Sequence, residues 1–140
     1  MKTWIVDTGP LVAYLDASDP AHDRVCARWD DFPGRLVTTS AVITEAMHLV
    51  GSSRAGPRLL AELAAASALE SYDLTRPPEL LEAADLMERY SDTPMDFADA
   101  TLVLLAEALE LRDVFTLDRS GFSAYRTRNG RTLRLVLDFD

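Results

Sequence analysis

The chain has 140 residues, 48% of them apolar, with a formal net charge of −9 and one cysteine, Cys26. That length suits one domain with a real core, the apolar share excludes a disordered chain, and no apolar run reaches the roughly 18 residues of a membrane span. The acidic balance argues against nucleic-acid binding through a generally basic surface, and a lone cysteine excludes an internal disulfide and a thiolate zinc site.

The opening segment MKTWIVDTGP passes directly into structure without an apolar signal region or cleavage site, so a cytoplasmic protein without a membrane association is expected. TWIV predicts a strand ending at Asp7. GPLVAYLD follows as a helix, with Pro10 near its start where a fixed φ is tolerated. DPAHDRVCARWDDF reads as a second helix with Val25 and Trp29 on one side. RLVTTS is a strand, and Thr39 or Ser40 caps the helix AVITEAMHLVG, which Gly51 ends. GPRLLAELAAASA is rich in strong helix formers. LESYDLT alternates like a strand, and PPELLEAADLMERY carries apolar residues at helical spacing. TPMD then resembles a capping box, with Thr93 as N-cap, Pro94 at N1 and Asp96 at N3, opening the long apolar helix that runs to Leu109. DVFTLD and TLRLVLDF are the last two strands. No repeat or linker interrupts the chain, so residues 1–140 are expected to form a single domain.

Strands alternating with helices predict an α/β fold whose parallel sheet is covered on both faces. Ligands bind at the carboxyl ends of the strands in such folds. Asp7 and Asp118 both fall where a strand is expected to end.

Two further acids stand in apolar surroundings. Asp99 lies beyond the expected cap, and its helical neighbours Leu102, Val103 and Ala106 face a core. Glu45 shares a row with Ala41, Val42 and Leu49, with His48 one turn on. An ionised carboxylate in such a row is costly without a partner. Each acid has an ordinary alternative: a cap for Asp7, a helix start for Asp96, an ion pair for Asp99, a surface position for Glu45, a turn for Asp118. Together they suggest a cluster of carboxylates that bound cations or shared protons must stabilise. Oxygen-only ligation suits Mg²⁺, with Mn²⁺ as substitute, and Mg²⁺ takes its remaining ligands from water and phosphates.

Charge is unevenly placed. Residues 1–111 hold 19 acids and 8 bases, whereas residues 112–140 hold 4 acids and 6 arginines. Arg119, Arg126 and Arg128 are therefore candidates for contact with phosphates or with an acidic or C-terminal segment of a partner, against the alternative of a solvated edge.

Four segments, IVDTGPLVAYLD, TTSAVITEAMHLV, PMDFADATLVLLAEAL and FTLDRSGF, resemble in order and spacing the PIN-domain ribonucleases. The likeness is greatest to VapC-type toxins of bacterial toxin–antitoxin pairs. The resemblance covers almost the whole chain. It implies a three-layer α/β/α sandwich and an acidic quartet that falls on Asp7, Glu45, Asp99 and Asp118. It also implies a site-proximal hydroxyl at Thr116, an additional acid of open role at Asp96, a homodimer, and a co-expressed antitoxin that blocks the site. The implied activity is Mg²⁺-dependent endoribonuclease cleavage of RNA. Alternatives are a housekeeping RNA-processing PIN nuclease without an antitoxin and a catalytically silent PIN scaffold. A phospho-accepting receiver also gathers aspartates around Mg²⁺ but needs a lysine on a late strand, and the only lysine here is Lys2.

Overall fold

The computed structural model describes residues 1–139. These form five strands: β1 (Thr3–Val6), β2 (Arg35–Thr39), β3 (Glu70–Tyr72), β4 (Asp113–Phe115) and β5 (Arg134–Leu135). They make one sheet in the order β3-β2-β1-β4-β5, with every neighbouring pair parallel. The central strand is apolar without alternation, and Trp4, Ile5 and Val6 are all buried. A parallel strand covered on both faces requires that pattern.

Among the described residues seven helices connect the strands: α1 (Thr8–Leu15), α2 (His22–Asp30), α3 (Ser40–Val50), α4 (Gly56–Ala66), α5 (Pro77–Arg89), α6 (Phe97–Leu109) and α7 (Arg119–Ala124). The result is the expected three-layer α/β/α sandwich. The long helix α6 explains its apolar run by burial nearly all round, with Ala98 and every residue from Ala100 to Ala106 buried. Trp4 stacks on Phe32 with ring centroids 3.6 Å apart, and Trp29 tilts onto Phe115 at 5.9 Å. No helix among the described residues is long and apolar enough to cross a membrane.

Several elements are shorter than the sequence suggests. α2 starts at His22 because the Asp16 and Asp19 side chains accept from the backbone N–H groups of Ser18 and Ala21, holding that segment in turns. The last strand is two residues long and gives way to a 3₁₀ turn at Val136–Asp138. It lies at the sheet edge and pairs only with β4, so little holds it extended.

The strand order decides where a ligand can sit. From β1 the chain builds outward through β2 and β3, then returns to place β4 on the other side of β1. The reversal between β1 and β4 opens a crevice beyond their carboxyl ends. Asp7 leaves β1 there and Asp118 follows β4.

Candidate active site

Asp7 is the N-cap of α1, and its Oδ1 accepts from the Thr8 N–H at 2.8 Å. The Thr116 hydroxyl donates to Asp7 Oδ2 at 2.7 Å and accepts from the Asp118 N–H at 2.9 Å. Thr116 thus ties two acids 111 residues apart in sequence to one another. β4 ends at Phe115, so residues 116–118 leave the sheet and turn toward the crevice. Asp118 caps α7, its Oδ1 accepting from the Gly121 N–H at 3.0 Å. A Cβ at position 121 would lie 2.3 Å from Asp118 Oδ2, so any larger residue there would displace that carboxylate.

The start of α6 differs from the expected capping box. Asp96, not Thr93, is the N-cap, and Asp99 stands at N3. Asp96 Oδ1 accepts from the Asp99 N–H at 2.8 Å, and Asp99 Oδ2 accepts from the Asp96 N–H at 3.2 Å. Asp99 is therefore within the cap rather than beyond it. The Asp96 N–H that a box opened at Thr93 would use donates to Asp99 instead, and the Pro94 carbonyl is held by the Tyr125 hydroxyl, so residues 93–95 stay outside the helix. The Asp99 carboxylate is half-buried while Asp96 is exposed.

Glu45 comes from α3, which Thr39 caps. The Thr39 and Thr101 hydroxyls share a hydrogen bond of 2.8 Å, which fixes the start of α3 against α6. The apolar row predicted around Glu45 runs out into solvent, since Leu49 is 52% exposed. His48 is exposed, and no hydrogen bond joins it to Glu45 among the described residues.

Electrostatics shows how closely these acids converge. Burial pushes the Asp7 carboxyl up to about 6, against the lowering effect of its Thr116 and Thr8 hydrogen bonds, and the charges of Glu45 and Asp118 raise it further. Burial also lifts Asp99 to about 8, with Asp96 and then Asp7 adding repulsion. Five carboxylates thus share one field. Beside Asp7 the Thr8 hydroxyl is buried with no partner among the described residues. The donor set is all oxygen, which fits a hard divalent cation. No three of these side chains among the described residues already close on one point, so ligation by several of them requires side-chain rotation.

The candidate arginines are largely engaged inside the chain. Arg128 pairs with Glu107 at 3.0 Å and Glu82 at 3.3 Å. Arg126 Nη1 donates to the backbone carbonyls of Ser123, Ala124 and Tyr125, closing the end of α7. Arg119 is the most available, with 77% of its side chain exposed and a 3.4 Å contact to Asp138.

Tyr125 escaped notice in the sequence, where nothing distinguishes it from a core aromatic. It is fully buried, and its hydroxyl donates to the Pro94 carbonyl at 2.5 Å. Burial raises its phenol well above the usual range, and the charges of Asp99, Asp118, Asp96 and Asp7 add to that. Tyr125 thus bolts the end of α7, which Asp118 caps, to the loop that precedes Asp96 and Asp99. Tyr125→Phe is expected to cost about 1 kcal/mol in denaturant unfolding. It should also slow single-turnover RNA cleavage by roughly tenfold or more, because acids displaced by a fraction of an ångström act poorly. An unchanged cleavage rate would assign the hydrogen bond to stability alone.

Comparison with known proteins agrees with this geometry. The PIN domain matches residues 4–127. Ribonuclease VapC26 of Mycobacterium tuberculosis (strain ATCC 25618 / H37Rv) is 36% identical over 136 residues, covering 94% of this chain and 98% of that protein. The crystal structure of Mycobacterium tuberculosis VapC20, described as a sarcin-ricin loop cleaving toxin, superposes with a TM-score of 0.70 over 82% of this chain and 89% of that one. Its sequence identity is 23%, so that likeness speaks to the fold. A parallel sheet with acids at its switch point, a matching PIN domain and a VapC ribonuclease similar over both full lengths lead to one conclusion: the chain belongs to the PIN-domain family and, within it, to the VapC-type ribonucleases.

Proposed function

We propose that this protein is a Mg²⁺-dependent endoribonuclease and the toxin of a bacterial type II toxin–antitoxin pair, acting in the cytoplasm as a homodimer that a small antitoxin holds inactive. The observation that carries the chemistry is that Asp7 and Asp99, both raised first by burial, are raised further by carboxylates gathered at the switch point: Glu45 and Asp118 around Asp7, Asp96 and Asp7 around Asp99. PIN nucleases as a class depend on a divalent metal, and the oxygen donor set here supports Mg²⁺, with Mn²⁺ as substitute. Asp7 and Asp99 would hold the metal, with Glu45 and Asp118 completing its ligands directly or through water. When bound, such an ion activates water and neutralises charge on the phosphate. Thr116 keeps Asp7 Oδ2 oriented, and Asp96 fixes the backbone from which Asp99 projects. The full quartet favours this reading over a silent scaffold. Similarity to a VapC ribonuclease favours it over a housekeeping nuclease.

Purified protein with total RNA and Mg²⁺ should yield discrete fragments. EDTA should stop the cutting and Mn²⁺ in excess should restore it. Cleavage that persists undiminished in EDTA would overturn the metal assignment.

A further inference from the structure

Two grooves flank the acid cluster, and Asp96 lines both. The smaller, about 340 Å³, runs past Asp99, Met87 and Tyr90. The larger, about 580 Å³, opens from Glu45 and Asp96 between α3 and the start of α6. Its wall carries the half-buried ring of Phe97, with Ser40, Thr44, Thr75 and His48 around it. None of these five residues has a role in the acid cluster.

Their chemistry is selective. Phe97 follows Asp96 directly, so the backbone that carries its ring is fixed by the same capping box that places Asp99. The three hydroxyls use their hydrogens within the chain: Ser40 and Thr75 donate to Asp73, and Thr44 donates to the Ser40 carbonyl. What these hydroxyls still have to offer a ligand in the groove is therefore acceptor lone pairs. An aromatic face beside a few fixed polar groups is the arrangement that splays and stacks a single-stranded base. A protein helix would instead need a row of apolar anchors at helical spacing, and this groove has one aromatic side chain. A nucleotide whose phosphate lies at Asp7 and Asp99 places its own base, or the adjoining one, within reach.

We infer that the groove between α3 and α6 is a base-binding subsite, in which Phe97 stacks an RNA base next to the cut and the Ser40, Thr44 and Thr75 hydroxyls favour a base with an exocyclic amino group. This rests on the ribonuclease reading above. Tyr90, the aromatic of the smaller groove, is less suited, because its ring is already packed edge to face with Tyr125, centroids 5.1 Å apart.

The test pairs a protein change with a substrate change. A cut mapped in total RNA supplies a short oligoribonucleotide, made intact and with single abasic residues on either side of the cleaved linkage. On the intact oligonucleotide, Phe97→Leu should raise KM by about tenfold, within the range of one lost base–aromatic stack. Phe97→Tyr, which keeps the ring, should stay near wild type. At one flanking position the abasic oligonucleotide should raise the wild-type KM similarly, and Phe97→Leu should add nothing further on that substrate. Equal losses on every abasic substrate, or an unchanged KM, would overturn the subsite while leaving the nuclease intact. Loss of antitoxin binding with an unchanged KM would assign the groove to a protein partner and also overturn it. Should Phe97→Leu not fold, 2-aminopurine at the flanking position in Asp7→Asn protein reads stacking directly, and unquenched fluorescence counts against it. Absence of any cut by the wild-type protein would remove the ribonuclease reading and the subsite together.

Discussion

Replacing Asp99 with asparagine is expected to reduce cleavage by at least about 100-fold, more than outer-shell changes at metal sites typically do. The metal-free protein should remain as stable as wild type or become more stable. Asparagine keeps an oxygen that can accept from the Asp96 N–H, so the cap survives, while the cost of ionising a half-buried carboxyl beside Asp96 and Asp7 is removed. The gain depends on pH in a defined direction. Asp99 titrates near 3.8 in the unfolded chain and near 8 in the fold. Between those values the folded protein holds a proton that the unfolded chain has released, so wild-type stability falls as pH rises through that window. Asp99→Asn has no such proton to lose. Its advantage in melting temperature should therefore grow from about pH 4 to about pH 8. Asp7, raised to about 6, contributes a similar slope to both proteins. Mg²⁺ or Mn²⁺ at 100 times its Kd should stabilise the wild type by about 2.7 kcal/mol and the variant much less. A marked loss of stability in Asp99→Asn would mean that the carboxylate serves a structural pair, and the site assignment would fall.

Fragments cut by this protein should carry a 5′-phosphate and a 3′-hydroxyl. RNA is also cleaved by its own 2′-hydroxyl, a route that needs well-placed acid–base groups such as histidine or lysine and leaves a cyclic phosphate. The chain offers little for that route. Lys2 precedes β1 and so sits at the amino end of the sheet, opposite the acids. His22 Nδ1 lies 2.8 Å from the Ala13 carbonyl, on the connection between α1 and α2. His48 is exposed and lines the base-binding groove beside Glu45. Carboxylates dominate the crevice, which favours attack by water in line with the leaving oxygen. A 2′-deoxy residue at the cleaved linkage should then slow cutting only as far as it weakens binding. Mass spectrometry of the product ends decides the matter, and a 2′,3′-cyclic phosphate formed by pure protein in EDTA would refute hydrolysis by the acid cluster.

The start of α6 shows why some of this site was legible in the sequence and some was not. That Asp96 and Asp99 mattered was readable, because acids one turn apart are conspicuous on an apolar helix. Which of them caps depended on the path of the preceding loop, and two equally spaced boxes compete there on paper. The arginines taught a related lesson. Charge counting singled out residues 112–140, but Glu82 and Glu107, which neutralise Arg128, are distant in sequence and meet it only through packing.

By itself the sequence determined the alternation of strands and helices, the parallel sheet, and four acids at strand ends or on apolar helix faces. Periodicity, capping residues and burial costs are local properties, and they suffice for that much. Only the tertiary structure decided the strand order that puts Asp7 and Asp118 on either side of one crevice. It alone revealed the Thr116 bridge between them, the Tyr125 bolt beneath them and the Phe97 groove beside them. Each of those contacts joins residues far apart along the chain, such as Asp7 and Thr116, and a hydrogen bond carries no trace in the sequence of either partner until the fold brings the two within 3 Å.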